Sequence, residues 1–207
     1  VLITSAKKLD VVHEALGGCP NIELILVVNA ARLSQVTDYD AAIADFPDTP
    51  IGDESLGSAM LYSSGTTGRP KGILRPLTGT RPGENPPLCE IYAQLFKFRE
   101  DMVYLSPAPL YHAAPQASVN ASIRHGGTVV IMERFDPEQY LQLVEKYQVT
   151  HSQLVPTMFS RMLKLPDEVR NTYDVSSLES AAHAAAPCPI PVKEQMIEWW
   201  GPVIYEY

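Results

Sequence analysis

Along this chain, short apolar runs of strand length alternate with stretches where apolar residues return every three or four positions. Val1–Thr4, a helical stretch over Leu9–Leu16 and Ile22–Val28 predict a β-α-β unit. Residues 29–58 are mixed, with a short helix around Tyr39–Ala44 and then a Pro/Gly/Asp-rich approach to an apolar run, Ala59–Tyr62, that reads as a strand. Ile73–Leu74 pair back as a short strand. A helix over Leu88–Phe98 leads to a strand at Met102–Ser106. A small-residue helix over Pro115–Arg124 ends at Gly126-Gly127, and Thr128–Met132 follows as a buried strand. Asp136 caps the next helix, with Pro137 at its first position and Gln139 three residues after the cap. Tyr140, Leu143, Val144 and Tyr147 then mark one buried face. A strand at Val149–Leu154, a helix opening at Pro156, a strand at Leu178–Ala182, a helix over Pro191–Trp200 stopped by Gly201-Pro202, and a strand-like Val203–Tyr207 complete the alternation. Strands separated by amphipathic helices predict an α/β fold with largely parallel sheets flanked by helices.

One segment breaks the rhythm. Residues 75–87 hold four prolines and two glycines, which excludes a continuous helix or a central strand. Two readings stand: a surface linker, or a mobile segment joining two sheets whose arginines meet phosphates.

With 207 residues, 45% of them hydrophobic, the chain can bury one large core or two small ones. A formal net charge of −8 argues against nucleic acid or an anionic membrane as the main partner, since both need an extended basic face. No apolar run approaches transmembrane length; Ile22–Ala31 is interrupted by Glu23 and Asn29. Cys19, Cys89 and Cys188 are odd in number and share no C-x-x-C spacing, so they are expected as buried thiols of a cytoplasmic protein. Both ends fall inside strand-like runs, which predicts an internal fragment of a longer polypeptide. The sequence sets no oligomeric state.

Candidate chemistry concentrates in Y-S-S-G-T-T-G-R-P-K-G, Tyr62 to Gly72. Ser63–Gly72 packs two serines, two threonines, three glycines and one lysine into ten residues. Glycines let backbone N–H groups converge on one point, hydroxyls add donors, and Lys71 adds a mobile positive charge. Arg69, Lys71, Arg75 and Arg81 lie between Gly65 and Gly83 with no acidic residue among them, a basic island suited to a polyphosphate. Gly65 and Lys71 keep the spacing of a Walker loop. Pro70 replaces its second glycine, however, and Gly72 its magnesium-binding hydroxyl. The loop is therefore expected to bind phosphate without opening a helix.

S-S-G-T-T-G-R-P-K-G resembles the signature loop of the adenylate-forming (AMP-binding) superfamily, which includes acyl-CoA synthetases, luciferases and the adenylation domains of peptide synthetases. The likeness continues through P-L-Y-H (109–112), G-G-T-V-V (126–130), L-V-P-T (154–157), A-A-A-P (184–187) and the terminal Y-E-Y. It implies part of an N-terminal adenylate-forming domain with two subdomain sheets, divided as residues 1–87, carrying the phosphate loop 62–72, and residues 88–207, carrying the acyl and adenine sites. It departs in 75–87, where the family has a T-H-x-N-like helix start.

The resemblance further implies activation of a carboxylic acid with ATP and Mg²⁺ to an acyl-adenylate, then transfer to coenzyme A; a medium- or long-chain fatty acid is the default substrate, with steroid-side-chain and aromatic acids as alternatives. It assigns Ser63, Ser64, Gly65, Thr66, Thr67, Gly68, Arg69, Pro70 and Lys71 to the β- and γ-phosphates, with Thr67 and Lys71 catalytic. Ala185, Ala186 and Pro187 are assigned to the adenine, Glu206 and Tyr207 to the opening of the nucleotide segment, and His112 to the acyl carboxylate. Amino-acid-activating relatives place an aspartate near that histidine as the counter-charge of an ammonium group. This chain has no acid between Asp101 and Glu133, which favours a plain carboxylic acid with an apolar tail. Alanine at 184, where the family has glycine, is tolerable only if that residue keeps a negative φ. The threonine and Mg²⁺-binding glutamate of the nucleotide segment, and the C-terminal domain with its lysine, would follow Tyr207, so the fragment alone is expected to be inactive. Two alternatives stand beside this reading: acyl delivery to a carrier protein, or a non-catalytic nucleotide-binding fragment. His183 is open between pocket and core, and His13, His125 and His151 are expected to be structural.

Overall fold

The computed structural model describes residues 1–30, 36–63 and 68–207, and the chain divides into two units, Val1–Glu54 and Ser55–Tyr207. In the first, β1 (Leu2–Ser5), α1 (Leu9–Leu16), β2 (Ile25–Val28), β3 (Thr37–Asp38) and α2 (Tyr39–Ile43) form a parallel sheet in the order β1-β2-β3. Leu26, Val27 and Ala30 supply its buried apolar side chains. Asp38 caps α2, one oxygen accepting from Ala41 N at 2.9 Å and the other from Ala30 N at 3.2 Å.

The second unit opens with an antiparallel hairpin, β4 (Leu61–Ser63) and β5 (Lys71–Ile73). Helices and strands then alternate: α3 (Pro87–Phe96), β6 (Val103–Ser106), α4 (Ala113–Arg124), β7 (Thr128–Ile131), α5 (Pro137–Tyr147), β8 (His151–Leu154), α6 (Pro156–Met162) with a further turn α7 (Asp167–Arg170), β9 (Ser180–His183), α8 (Ile190–Trp200) and β10 (Ile204–Glu206). The five strands β10-β9-β8-β6-β7 are all parallel. This is the α/β architecture with parallel sheets that the sequence predicts.

Strand alternation sends successive side chains to opposite faces. Leu105, Leu154, Ala181 and Ile204 pack against Tyr140, Leu141, Val144, Phe159 and Trp200 from α5, α6 and α8. Tyr104, Val129, Ala182 and Tyr205 pack on the other face with Cys89, Tyr92, Phe96 and Ala121 from α3 and α4. Helices thus cover both faces, so burying the sheet needs both the apolar strand runs and the amphipathic helices.

Local chemistry explains the boundaries. Asp136 accepts from Gln139 N at 2.9 Å, the cap its sequence predicts. Helix α3 stops at Phe96, two residues short of the expected Phe98, because Lys97 turns left-handed (φ 63°) and returns the Phe98 ring to the core. Three other expectations need correction. The buried face of α5 is Tyr140, Leu141 and Val144, with Leu143 only half-buried and Tyr147 exposed. Thr128–Ile131 is an edge strand, so Ile131 faces outward rather than being buried. Cys19 is exposed, lying after the end of α1, whereas Cys89 and Cys188 are buried. The proline-rich segment 75–87 is irregular and largely exposed, and Arg124 ties it to α4 by donating to the carbonyls of Pro82 (2.9 Å) and Glu84 (3.2 Å). The division expected at residue 87 falls within the second unit. Among the described residues, no helix is long and apolar enough to cross a membrane.

Candidate functional site

The chain leaves β6 through α4 on one face and leaves β8 through α6 on the other. Because β6 and β8 are neighbours, their following connections diverge at the carboxyl ends of the strands. That is where parallel α/β sheets bind ligands. Every site residue expected outside the glycine-rich loop lies along this edge. His112 follows β6, Ala185–Pro187 follow β9, and Glu206-Tyr207 end β10. The strand register sets Leu154, His183 and Glu206 side by side across β8, β9 and β10.

His112 is the N-cap residue of α4, extended (φ −84°, ψ 145°) and exposed, with its ring 4.4 Å from the ring of Tyr111. His183 goes the other way. It is fully buried against the edge of Phe159, and neither ring nitrogen has a hydrogen-bond partner among the described residues. Burial lowers its pKa, with Glu206 opposing and Lys193 reinforcing that shift. Burial thus favours the neutral imidazole, which belongs to the core. His125 bonds the Cys89 carbonyl at 3.1 Å and His151 bonds Thr150 Oγ1 at 2.7 Å, both structural contacts.

The turn after β9 contains a strained residue. Ala185 adopts φ 75°, which L-residues seldom take, whereas Ala184 is not among the positive-φ residues. The glycine missing from position 184 therefore costs nothing there; the demand for left-handed backbone falls one residue later. Glu206 pairs with Lys193 of α8, and that hydrogen bond holds its carboxyl below the usual range. Tyr207 accepts a hydrogen bond from Gln153 Nε2, and Gln153 Oε1 accepts from Ser118 Oγ at 2.9 Å. Ser106, the last residue of β6, is fully buried with no partner for its hydroxyl among the described residues. Sequence reasoning missed Lys193, Gln153, Ser118 and Ser106. A polar S-Q pair inside the β8 run was the one available signal.

The glycine-rich loop joins β4 to β5. Ser64, Gly65, Thr66 and Thr67 lie outside the described residues. Ser63 pairs with Lys71 and Tyr62 with Gly72, so Lys71 opens a strand rather than a helix, as the comparison with the Walker loop predicts. At Gly72 a Cβ would stand 2.5 Å from Met60 Cε and 3.1 Å from Tyr62 Cε1, both on exposed side chains that can move aside. Gly68 is left-handed (φ 80°), and Gly68, Arg69, Pro70 and Lys71 are exposed. Arg69, Lys71, Arg75 and Arg81 form no ion pair among the described residues, so their charge is available to a ligand.

The described residues supply no complete magnesium site by themselves. Among the described residues no three His, Cys, Asp or Glu side chains cluster to hold a metal, and Glu206 is engaged by Lys193.

The AMP-binding enzyme family matches residues 1–207. A 4-coumarate:CoA ligase of Petunia hybrida is 33% identical over 172 residues, covering 81% of this chain and 30% of that enzyme. A medium/long-chain-fatty-acid–CoA ligase of Mycobacterium tuberculosis is 30% identical over 179 residues, covering 86% of this chain and 29% of that enzyme. The chain thus spans under a third of the length of these two relatives. Among solved structures, an anthranilate CoA ligase in complex with anthranoyl-AMP superposes with a TM-score of 0.74 at 22% identity, over 98% of this chain and 39% of that one. A luciferase-like enzyme of the mealworm Zophobas morio gives 0.72 at 19% identity, over 99% and 46%. These superpositions establish the fold.

Proposed function

The chain belongs to the AMP-binding enzyme family, and on that premise we propose that the whole protein activates a carboxylic acid with ATP and passes the acyl group to coenzyme A. In the first step a carboxylate oxygen attacks the α-phosphorus, the bond to the bridging oxygen breaks, and pyrophosphate leaves. In the second the coenzyme A thiolate attacks the acyl carbon and AMP leaves. The observation that supports the reading is that His112, Ala185–Pro187 and Glu206-Tyr207 all follow strands of one parallel sheet, β6, β9 and β10, at their carboxyl ends.

The chain's own contribution to the first step is charge neutralisation and positioning rather than proton transfer. Ser63 to Lys71 hold the β- and γ-phosphates, with Thr67 and Lys71 donating to charge that grows on the leaving pyrophosphate. Ala185, Ala186 and Pro187 line the adenine, with Glu206 and Tyr207 beside them, and His112 borders the acid's carboxylate. The acid has an apolar body and no ammonium group, because no acidic residue stands between Asp101 and Glu133 to balance one. A fatty acid is the substrate class we favour, with aryl acids the competing class; one relative above is named for each.

Acid-dependent ATP–pyrophosphate exchange by the whole protein, run over a panel of fatty and aryl acids, tests the reading and ranks the classes. Thr67→Ala and Lys71→Ala should each slow exchange by on the order of 100-fold, the usual loss of one transition-state donor, with melting temperature unchanged. Wild-type exchange in both variants would contradict the assignment.

A further inference from the structure

A glutamine on an inner strand of a parallel sheet is costly to bury unless its amide is fully bonded, and Gln153 of β8 is 7% exposed. The oxygen and the nitrogen of its one amide face in different directions. Oε1 accepts from Ser118 Oγ on α4 at 2.9 Å, and Nε2 donates to the Tyr207 hydroxyl just after β10. Ser118 is fully buried, and its carbonyl accepts from Ser122 Oγ at 2.7 Å one turn along the helix. The strand between, β9, presents Ala182 opposite Gln153, a residue too short to obstruct the path to Tyr207. A continuous run of hydrogen bonds therefore crosses β8 and β9. It joins the residue following β10 to the helix whose first turn is capped by His112.

We propose that Gln153 is a positioning residue: its amide couples Tyr207 of the nucleotide segment to Ser118 of α4, so that filling the nucleotide site and filling the acid site favour each other. The proposal rests on the adenylation reading above, which puts the adenine beside Tyr207 and the carboxylate beside His112. The physical basis is shared ordering. A nucleotide that fixes the Tyr207 ring fixes the rotamer of Gln153, and through it Ser118 and the seating of α4 against the sheet. An acid bound next then has less left to order. By linkage, the acid must tighten nucleotide binding by the factor by which the nucleotide tightens the acid.

The test is calorimetry on the whole protein, with α,β-methylene-ATP so that no adenylate forms, and with decanoic and 4-coumaric acids as probes. In the wild type, saturating acid should tighten nucleotide binding by a factor on the order of ten. In Gln153→Leu and in Ser118→Ala that factor should fall to within about twofold of one, while each ligand alone binds within about threefold of wild type. A network serving only packing would lower the melting temperature and leave the factor intact. Should Gln153→Leu fail to fold, Ser118→Ala, which removes one hydroxyl, decides the matter. A factor retained in the variants overturns the proposal, as does a wild-type factor of one. Acid-dependent pyrophosphate release by the wild type is measured alongside. Its absence with every acid fails the adenylation reading and this proposal together, whereas release without coupling fails this proposal alone.

Discussion

Replacing Ala185 by glycine should stabilise the protein, whereas the same change one residue earlier should destabilise it. Ala185 is exposed in the turn after β9 at φ 75°, a region that costs an L-residue about 1–2 kcal/mol. Glycine removes that cost, and little packing is lost with the exposed methyl. Against the gain stands the larger entropy of glycine in the unfolded chain, roughly 0.5–1 kcal/mol. The net expectation for Ala185→Gly is a gain of about 0.5–1 kcal/mol. Ala184 has no strain to relieve, so Ala184→Gly meets the entropic term alone and should lose about 0.5–1 kcal/mol. The two variants should therefore differ by about 1.5 kcal/mol. For a chain of this size that corresponds to roughly 3–6 °C in melting temperature, with wild type between them. Urea unfolding of all three proteins measures the difference through the midpoint at constant slope. An Ala185→Gly protein that melts at or below Ala184→Gly would refute the strain account, and with it the claim that position 185, rather than 184, carries the backbone demand of the A-A-A-P turn.

The remaining predictions test the core at the amino ends of β8 and β7. Burial lowers the pKa of His151 from 6.5 to about 4, so between those values the unfolded chain binds the extra proton and stability rises with pH. The contribution should be complete above about pH 6.5 and lost as pH falls toward 4; His151→Gln should flatten urea midpoints across that window, and an unchanged slope would count against it. Gly127→Ala would place a Cβ 2.7 Å from Met102 Cγ, 3.1 Å from the Ser122 carbonyl and 3.2 Å from the Met102 carbonyl. Two of those neighbours are backbone, so a loss of about 2 kcal/mol or more is expected in the same assay.

Much of the architecture was legible because its determinants are local. The period of apolar residues distinguishes strand from helix, and Asp136-Pro137 with Gln139 announces a helix start by the bonds those residues make at once. The glycine-rich loop stood out for the same reason, ten consecutive residues of one character, and the absence of a helix after Lys71 followed from Pro70 and Gly72. Periodicity could not reveal which strand would lie at an edge. Thr128–Ile131 is as apolar as a central strand, and only the order β10-β9-β8-β6-β7 exposes Ile131.

The sequence alone determined the kinds of element, their order and the chemistry of the residues beside them, since each depends on neighbours within a few positions. Tertiary structure decided which of those residues meet. His112, Ala185 and Tyr207 share one edge only because β6, β9 and β10 run parallel in one sheet. His183 turns into the core because of the face its strand register gives it. Gln153 reaches both Ser118 and Tyr207 across a gap that Ala182 leaves open, a juxtaposition of residues 35 and 54 positions away that no local pattern encodes.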